Sequence, residues 1–238
     1  MIREGISRFK APLTVRKLVE HKIDFIENVI PENVEVVLIG HSIGTFISLQ
    51  VMRLITKRER FVHNIMLMPV LEKFTQTPGW KSLRLMLYFR GFLYALVMVL
   101  SLMKDEIVVR LLPYLVPDLK KHRTPECMYE GMLQLVDWHV VRNMLTLARD
   151  ESKQVQERDD LFLQKNLHKF SLMYCVDDHW APINLYRGLR RRFPDCYTEL
   201  LDTVSHSFVS DKKMTEEVVS RIVRRFETQL SAKEEDMD

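Results

Sequence analysis

The 238-residue sequence predicts an α/β fold with a mainly parallel sheet, and three observations carry that expectation. Short apolar runs of strand length alternate with longer segments of helical period. The alternation starts near the N-terminus and resumes after residue 169. The first run, Val34-Glu35-Val36-Val37-Leu38-Ile39, ends in Gly40-His41-Ser42-Ile43-Gly44 and passes directly into a helical pattern. Strand, tight turn and helix together are the setting in which Gly-x-Ser-x-Gly reads as a nucleophile elbow. Two of only seven glycines bracket the serine. In such an elbow Ser42 occupies a strained turn with its hydroxyl clear of the sheet. A side chain at position 40 or 44 is expected to collide with the neighbouring strand or helix. The helix that follows brings unpaired N–H groups and a partial positive charge beneath the reacting oxygen, so the N–H of Ile43 is the natural first oxyanion donor.

Taken in order, Leu13 to Ile30 carries Val15, Leu18, Val19, Ile23, Ile26 and Ile30 at helical spacing between Pro12 and Pro31. The strand Val34 to Ile39 follows, and the helix after the elbow is expected to reach about Lys57. A second strand, Asn64 to Met68, stops at Pro69. From Trp80 to Pro117 the chain turns strongly apolar. Its longest charge-free run, Gly91 to Met103, has 13 residues, short of the ~18 to 20 that a spanning helix needs. This stretch is therefore either a cap packed on its own domain or a hairpin lying in a lipid surface. In the second case Arg84, Arg90, Lys104 and Arg110 would reach toward head groups. Tyr129 to about Glu157 continues as helical cap or linker, which places an insertion at 70–157 within one domain, 1–238. Asp137-Trp138-His139 reads as a partly buried helix face. Phe170 to Cys175 gives a third strand, Asp177 to Pro182 a loop and Asn184 to Phe193 a basic helix. Tyr197 to Leu201 gives a fourth strand, Ser205 to Phe208 a loop and Thr215 to Leu230 a closing helix. The polar tail from Ser231 is expected to fray.

Composition narrows the function. With 47% hydrophobic and 28% charged residues and a net charge of +3, the chain suits one sizeable core. It carries no nucleic-acid module, so nucleic acid is not an expected partner. Cys127, Cys175 and Cys196 are odd in number and far apart, which fits reduced thiols better than disulfides or zinc. No cofactor or metal is expected. Met1-Ile2-Arg3-Glu4-Gly5 opens no apolar signal core, so secretion is not expected either. The oligomeric state is not legible.

The later loops supply partners for the serine. A nucleophilic serine needs a base within hydrogen-bond reach and an acid that fixes the base's tautomer, and in α/β-hydrolases these follow in the order Ser, Asp or Glu, His. Ser42, Asp178 and His206 occur in that order, each just past the end of a predicted strand and so at one edge of a parallel sheet. Asp177 is the competitor for the acid; periodicity does not separate it from Asp178, which is preferred. His41 neighbours the serine but is expected to point to the other side of the turn and order the elbow.

Val37 to Gly44, the apolar insert after Pro69, Asp178-His179-Trp180-Ala181-Pro182 and His206-Ser207-Phe208 together resemble the lipid droplet-associated hydrolase family of serine α/β-hydrolases, over about Leu18 to Leu230. The resemblance implies a triad of Ser42, Asp178 and His206. It also implies sterol or acyl esters as substrates and a site of action on lipid droplets and the endoplasmic reticulum, at the cytosolic face. The sequence departs from the pattern in front of the elbow. An α/β-hydrolase places about four strands and a helix there, and here one helix precedes the elbow strand. The fold is therefore expected to be N-terminally truncated, without the loop that supplies the second oxyanion N–H and with an unpaired side to the elbow strand. Two readings follow: a serine ester hydrolase at a lipid surface, or a catalytically inactive or truncated lipid-droplet-binding protein that influences lipid storage.

Overall fold

The computed structural model describes residues 13–115, 131, 133 and 136–235. The chain begins with α1 (Val15–Asn28), whose first turn is capped by the Thr14 side chain accepting from the Lys17 N–H. β1 (Val36–His41), α2 (Ile43–Leu54) and β2 (Phe61–Leu67) follow. Next come the helices of the apolar region, α3 (Pro78–Tyr88), α4 (Arg90–Ser101) and α5 (Asp105–Leu115), and then α6 (Trp138–Gln154) and α7 (Asp160–Lys165). β3 (Phe170–Cys175), α8 (Ile183–Arg192), β4 (Tyr197–Leu201) and α9 (Lys212–Glu235) complete the order.

The four strands form one parallel sheet in the order β1-β2-β3-β4. Its register levels the carboxyl ends. His41 lies beside Leu67, Leu67 beside Met173, and Cys175 beside Leu201. Backbone bonds carry the alignment past the strands, with Ser42 N–H donating to the Leu67 carbonyl at 3.0 Å and Met68 N–H to Met173 at 2.7 Å. Val176 N–H does the same to Leu201 at 3.1 Å. The loops after β1, β3 and β4 thus emerge at one edge. Because side chains alternate across the pleat, one face sends Met66 and Leu172 into a core with α1, α2 and α8. The other sends Ile65, Leu67 and Met173 against Val218 of α9. Buried Arg60, just before β2, fastens α1 by donating to the carbonyls of Ile26 at 3.1 Å and Pro31 at 2.7 Å.

Several boundaries differ from expectation. β1 runs through Gly40 and His41 because its pairing with β2 continues to Leu67. α2 stops at Leu54 rather than near Lys57. α9 continues to Glu235 through the stretch expected to fray, and 236–238 lie outside the described residues. Most of 129–135, expected to be helical, also lies outside them, as does Cys127. α7 escaped the sequence reading: its six residues are too few to show a period, and the Asp159 side chain sets it up by accepting from Phe162 N–H. The apolar region is a series of short helices, with α3 and α4 bent by 72°. Among the described residues no single helix is long and apolar enough to cross a membrane.

One side of α4 packs inward, Val97 against Val141 and Leu145 of α6, and Leu100 against Val108 and Val136. The opposite side is open: Phe92 is 72% and Leu102 87% exposed. Among the described residues β1 pairs with β2 alone, and Ile39 in its middle is 56% exposed.

A buried polar cluster ties α9 to the sheet and makes a prediction. His63 of β2 is 2% exposed and lies 2.8 Å from the Ser171 hydroxyl, to which Arg225 also donates at 2.8 Å. Burial, with the charges of Arg225 and His168 adding to it, brings the His63 pKa down to about 4. The folded state therefore resists a proton that the unfolded chain accepts near pH 6.5. Stability from this group is complete above that pH and declines as pH falls toward the folded value. Urea unfolding should lose about 2 kcal/mol between pH 7 and pH 5 through this residue, and His63→Gln should flatten that part of the profile.

Candidate active site

The elbow is built from a conformation most residues avoid. Ser42 has φ 55° and ψ −124°, a region that costs ~1 to 3 kcal/mol for a non-glycine residue. Its neighbours hold it there. Thr45, fully buried, donates its hydroxyl to the Ser42 carbonyl at 2.6 Å and accepts the Val70 N–H at 3.1 Å, so the turn is tied to the loop after β2. A Cβ on Gly40 would stand 2.7 Å from the Gly44 carbonyl oxygen and 2.9 Å from Thr45 Cα, both backbone atoms. Only glycine fits there. The matching expectation for Gly44 does not hold: a Cβ there meets nothing within 4 Å.

The three residues expected to act together do meet. The Ser42 hydroxyl is 2.9 Å from His206 Nε2, and His206 Nδ1 is 2.8 Å from Asp178 Oδ2. With Nδ1–H donating to the carboxylate, Nε2 is left as the acceptor for the serine proton. It is Asp178 that faces His206, while Asp177 is exposed. The Asp178 carboxylate has no solvent contact and is fully engaged. Its Oδ1 accepts from Trp180 N–H at 2.7 Å and Ala181 N–H at 2.8 Å, and its Oδ2 also accepts from the Cys175 thiol at 3.5 Å. Burial pushes this carboxyl's pKa up. The hydrogen bond and charge of His206, with the Ala181 and Trp180 amides, outweigh burial and leave the pKa below its ordinary value. The carboxylate is thus held ionised in a dry place. The Cys175 thiol is driven the other way, chiefly by burial and then by the Asp178 charge.

His41 does more than order its own turn. Its Nε2 lies 2.9 Å from the main-chain carbonyl of His206, and its ring meets Phe208 edge-on at 5.0 Å. A bond to a carbonyl requires a proton on that nitrogen. Burial and the neighbouring His206 lower the His41 pKa, which favours the neutral ring, and that ring braces the loop carrying His206. Ile43 is the first residue of α2, where a backbone N–H has no partner within its helix. Asp137, by contrast, is spent on structure: it caps α6, accepting from the N–H groups of His139 and Val140.

Thr45 and Gly79 belong to the architecture of the site and were not singled out in the sequence. Thr45 sits three residues past the serine within an ordinary helical pattern. Only its two bonds, one back and one to a distant loop, give it away. The N–H of Gly79 donates to the carbonyl of His179 at 2.8 Å, beside the Asp178 loop.

A family described as lipid-droplet associated hydrolase matches residues 4–209. The lipid droplet-associated hydrolase of Gallus gallus is 29% identical over 195 residues, 81% of this chain and 59% of the relative. That of Drosophila melanogaster is 30% identical over 202 residues, covering 80% and 62%. The chain spans about three fifths of the length of these relatives. Among solved structures, a 2-hydroxy-6-oxo-6-phenylhexa-2,4-dienoate hydrolase from Rhodococcus superposes with a TM-score of 0.63 at 15% identity, over 92% of this chain and 74% of that one. A serine hydrolase from Cycloclasticus zankles gives 0.59 at 17% identity, over 93% and 76%. At such identities the likeness speaks for the fold: this is an α/β-hydrolase fold. The family match, which covers most of the chain, goes further, and the chain belongs to the lipid-droplet associated hydrolase family.

Proposed function

We propose that this chain carries the catalytic core of a serine hydrolase that cleaves lipid esters, sterol or acyl, at the surface of lipid droplets and the endoplasmic reticulum, on the cytosolic face. The observation that carries the proposal is the unbroken line from Asp178 through His206 to Ser42, at 2.8 and 2.9 Å. In this reading His206 takes the Ser42 proton as Oγ attacks the ester carbonyl. The imidazolium that forms is stabilised by buried Asp178, and the oxyanion faces the Ile43 N–H. Collapse breaks the ester bond, His206 returns the proton to the leaving alcohol, and water then releases the acyl group by the same steps. Neither the chemistry nor the residues call for a cofactor.

The lipid surface enters through the open side of the apolar helices. Tyr88, Phe92, Val99 and Leu102 are all exposed, and burying one such side chain in hydrocarbon contributes ~1.5 to 3 kcal/mol. Lys81, Arg84 and Arg90 lie along the same segment, and their stems extend toward head groups. Length favours a segment lying in one leaflet over a span. The lipid droplet in the relatives' names supports this choice of surface.

A second reading, a catalytically inactive lipid-droplet-binding protein that influences lipid storage, is favoured by one observation. Among the described residues no strand lies on the free side of β1, the side from which this fold draws its second oxyanion N–H. Loss of one such donor costs ~10²- to 10³-fold in rate.

Hydrolysis of sterol and acyl esters presented in droplets decides between the readings. Asp178→Asn should lower the rate by ~10⁴, because the base is left in the wrong tautomer. Exposed Asp177→Asn should change it by no more than about 2-fold, in keeping with the small effect of most surface substitutions. Equal effects would remove Asp178 from its role, and absence of turnover in the unaltered protein would leave the binding reading. For the surface, Phe92→Asp with Leu102→Asp should shift the protein from droplets to the soluble fraction. Both positions are exposed, so cleavage of a soluble short-chain ester should be unchanged.

A further inference from the structure

We infer that the root of the apolar region clamps the acid loop of the triad, with Gly79 and Trp180 as a positioning pair, so that the reactivity of Ser42 depends on how α3 is seated. The inference rests on the proposed role of Asp178 as the group that orients His206. It starts from the way α3 begins. Thr77 caps the helix, accepting the Trp80 N–H at 3.3 Å while donating to the Phe74 carbonyl at 2.8 Å, and is itself 2% exposed. One of the N–H groups that a helix start leaves unpaired, that of Gly79, reaches across to the carbonyl of His179 at 2.8 Å. The helix is thereby bonded to the residue that follows Asp178.

Packing makes the joint tight. A Cβ on Gly79 would stand 2.5 Å from Cδ2 and 2.7 Å from Cε3 of the Trp180 ring, closer than real carbon contacts allow. The ring has little room to give. It is stacked on Phe74 at 5.7 Å with an interplanar angle of 14°, and Phe74 packs on Trp80 of α3 at 5.5 Å. On another side it approaches the His206 ring, at 6.4 Å. The backbone of this same tryptophan supplies one of the two amides that hold Asp178 Oδ1. A small shift of α3 therefore passes to the carboxylate through one side chain and two backbone bonds. The far end of α3 is Tyr88, where the 72° bend leads into α4 and the exposed Phe92 and Leu102. One helix thus has the acid loop at its start and the surface proposed to meet lipid at its end.

The test uses the full chain and two readouts. The first is the rate at which a fluorophosphonate probe labels Ser42, with and without triolein droplets coated in phosphatidylcholine. The second is amide hydrogen exchange across 177–182, which needs no turnover. Gly79→Ala should slow labelling by roughly 10- to 100-fold, the scale of an ångström-sized misplacement, and should speed exchange at Trp180 and Ala181. Trp180→Leu makes room for the added methyl while keeping the backbone N–H. The double variant should therefore label within about 3-fold of Trp180→Leu alone, a departure from additivity that marks direct contact. Phe74→Leu, which unpins the ring without touching Gly79, should speed the same exchange and serves if Gly79→Ala does not fold. Droplets should change the labelling rate of the unaltered protein several-fold and leave that of the double variant unchanged. Unaltered exchange at Trp180 and Ala181 in both Gly79→Ala and Phe74→Leu, or penalties that simply multiply in the double variant, would overturn the clamp. A labelling rate indifferent to bound droplets would overturn its coupling to the surface. Failure to bind droplets at all would instead count against the lipid-surface function, with exchange still deciding the clamp.

Discussion

The site depends on one tight reversal of the chain at Ser42. A strand that ends and a helix that starts within a single residue must bring backbone onto backbone. Gly40 against Gly44 and Thr45 is where that happens, with no room for a Cβ. The φ of 55° at Ser42 is the conformational cost. It is offset by the Thr45 hydroxyl's bond back to the Ser42 carbonyl and by two bonds that reach outside the turn, Ser42 N–H to the Leu67 carbonyl and Val70 N–H to the Thr45 hydroxyl. Because β2 and the loop after it supply the two outer anchors, the elbow is only as well placed as the parallel pairing of β1 with β2. The serine is then held at the sheet edge, and the His206 imidazole has to come to it. His206 does so on a loop held by His41, which bonds its carbonyl, and by Phe208, which packs in the core beneath.

The second demand is to keep a carboxylate charged where water is excluded. A buried unpaired charge is costly enough that the group would ordinarily take up a proton instead. Asp178 escapes this because each oxygen receives two donors, the amides of Trp180 and Ala181 on one and His206 and the Cys175 thiol on the other. The arrangement also explains the sequence Asp178-His179-Trp180-Ala181 in physical terms. The loop must fold back at once to present two consecutive N–H groups, and the tryptophan side chain, packed against Phe74, anchors that fold.

Much of this was legible from residues. β3 and β4 have the bounds that the sequence predicts for them, and Ser42, Asp178 and His206 stand out as candidates by chain order and by the common edge of a parallel sheet. What stayed hidden is what depends on contact across long separations. Sequence assigns His41 only to the far side of its own turn, yet its ring bonds the carbonyl of a residue 165 positions on. Gly79 was invisible because its reason is a ring that arrives a hundred residues later. Gly44 erred in the other direction: the motif gives it a steric reason that these residues do not supply. The apolar region could not be read as cap or lipid-facing from composition, since α4 is apolar on both sides. Packing separates Val97 and Leu100, which face α6 and α5, from Phe92 and Leu102, which face outward.

Three structural facts therefore bear on function together: a bonded Ser-His-Asp line, an open apolar helix face rooted beside it, and an elbow strand whose second side has no partner among the described residues. The first is a claim about reactivity. The most direct measurement is peptide mapping of the protein after reaction with a fluorophosphonate, since only a serine activated by a neighbouring base attacks such an electrophile readily. The account predicts a single adduct on the peptide containing Ser42, lost in His206→Ala although the serine is still present. An adduct elsewhere, or one on Ser42 that forms equally fast without His206, would contradict it.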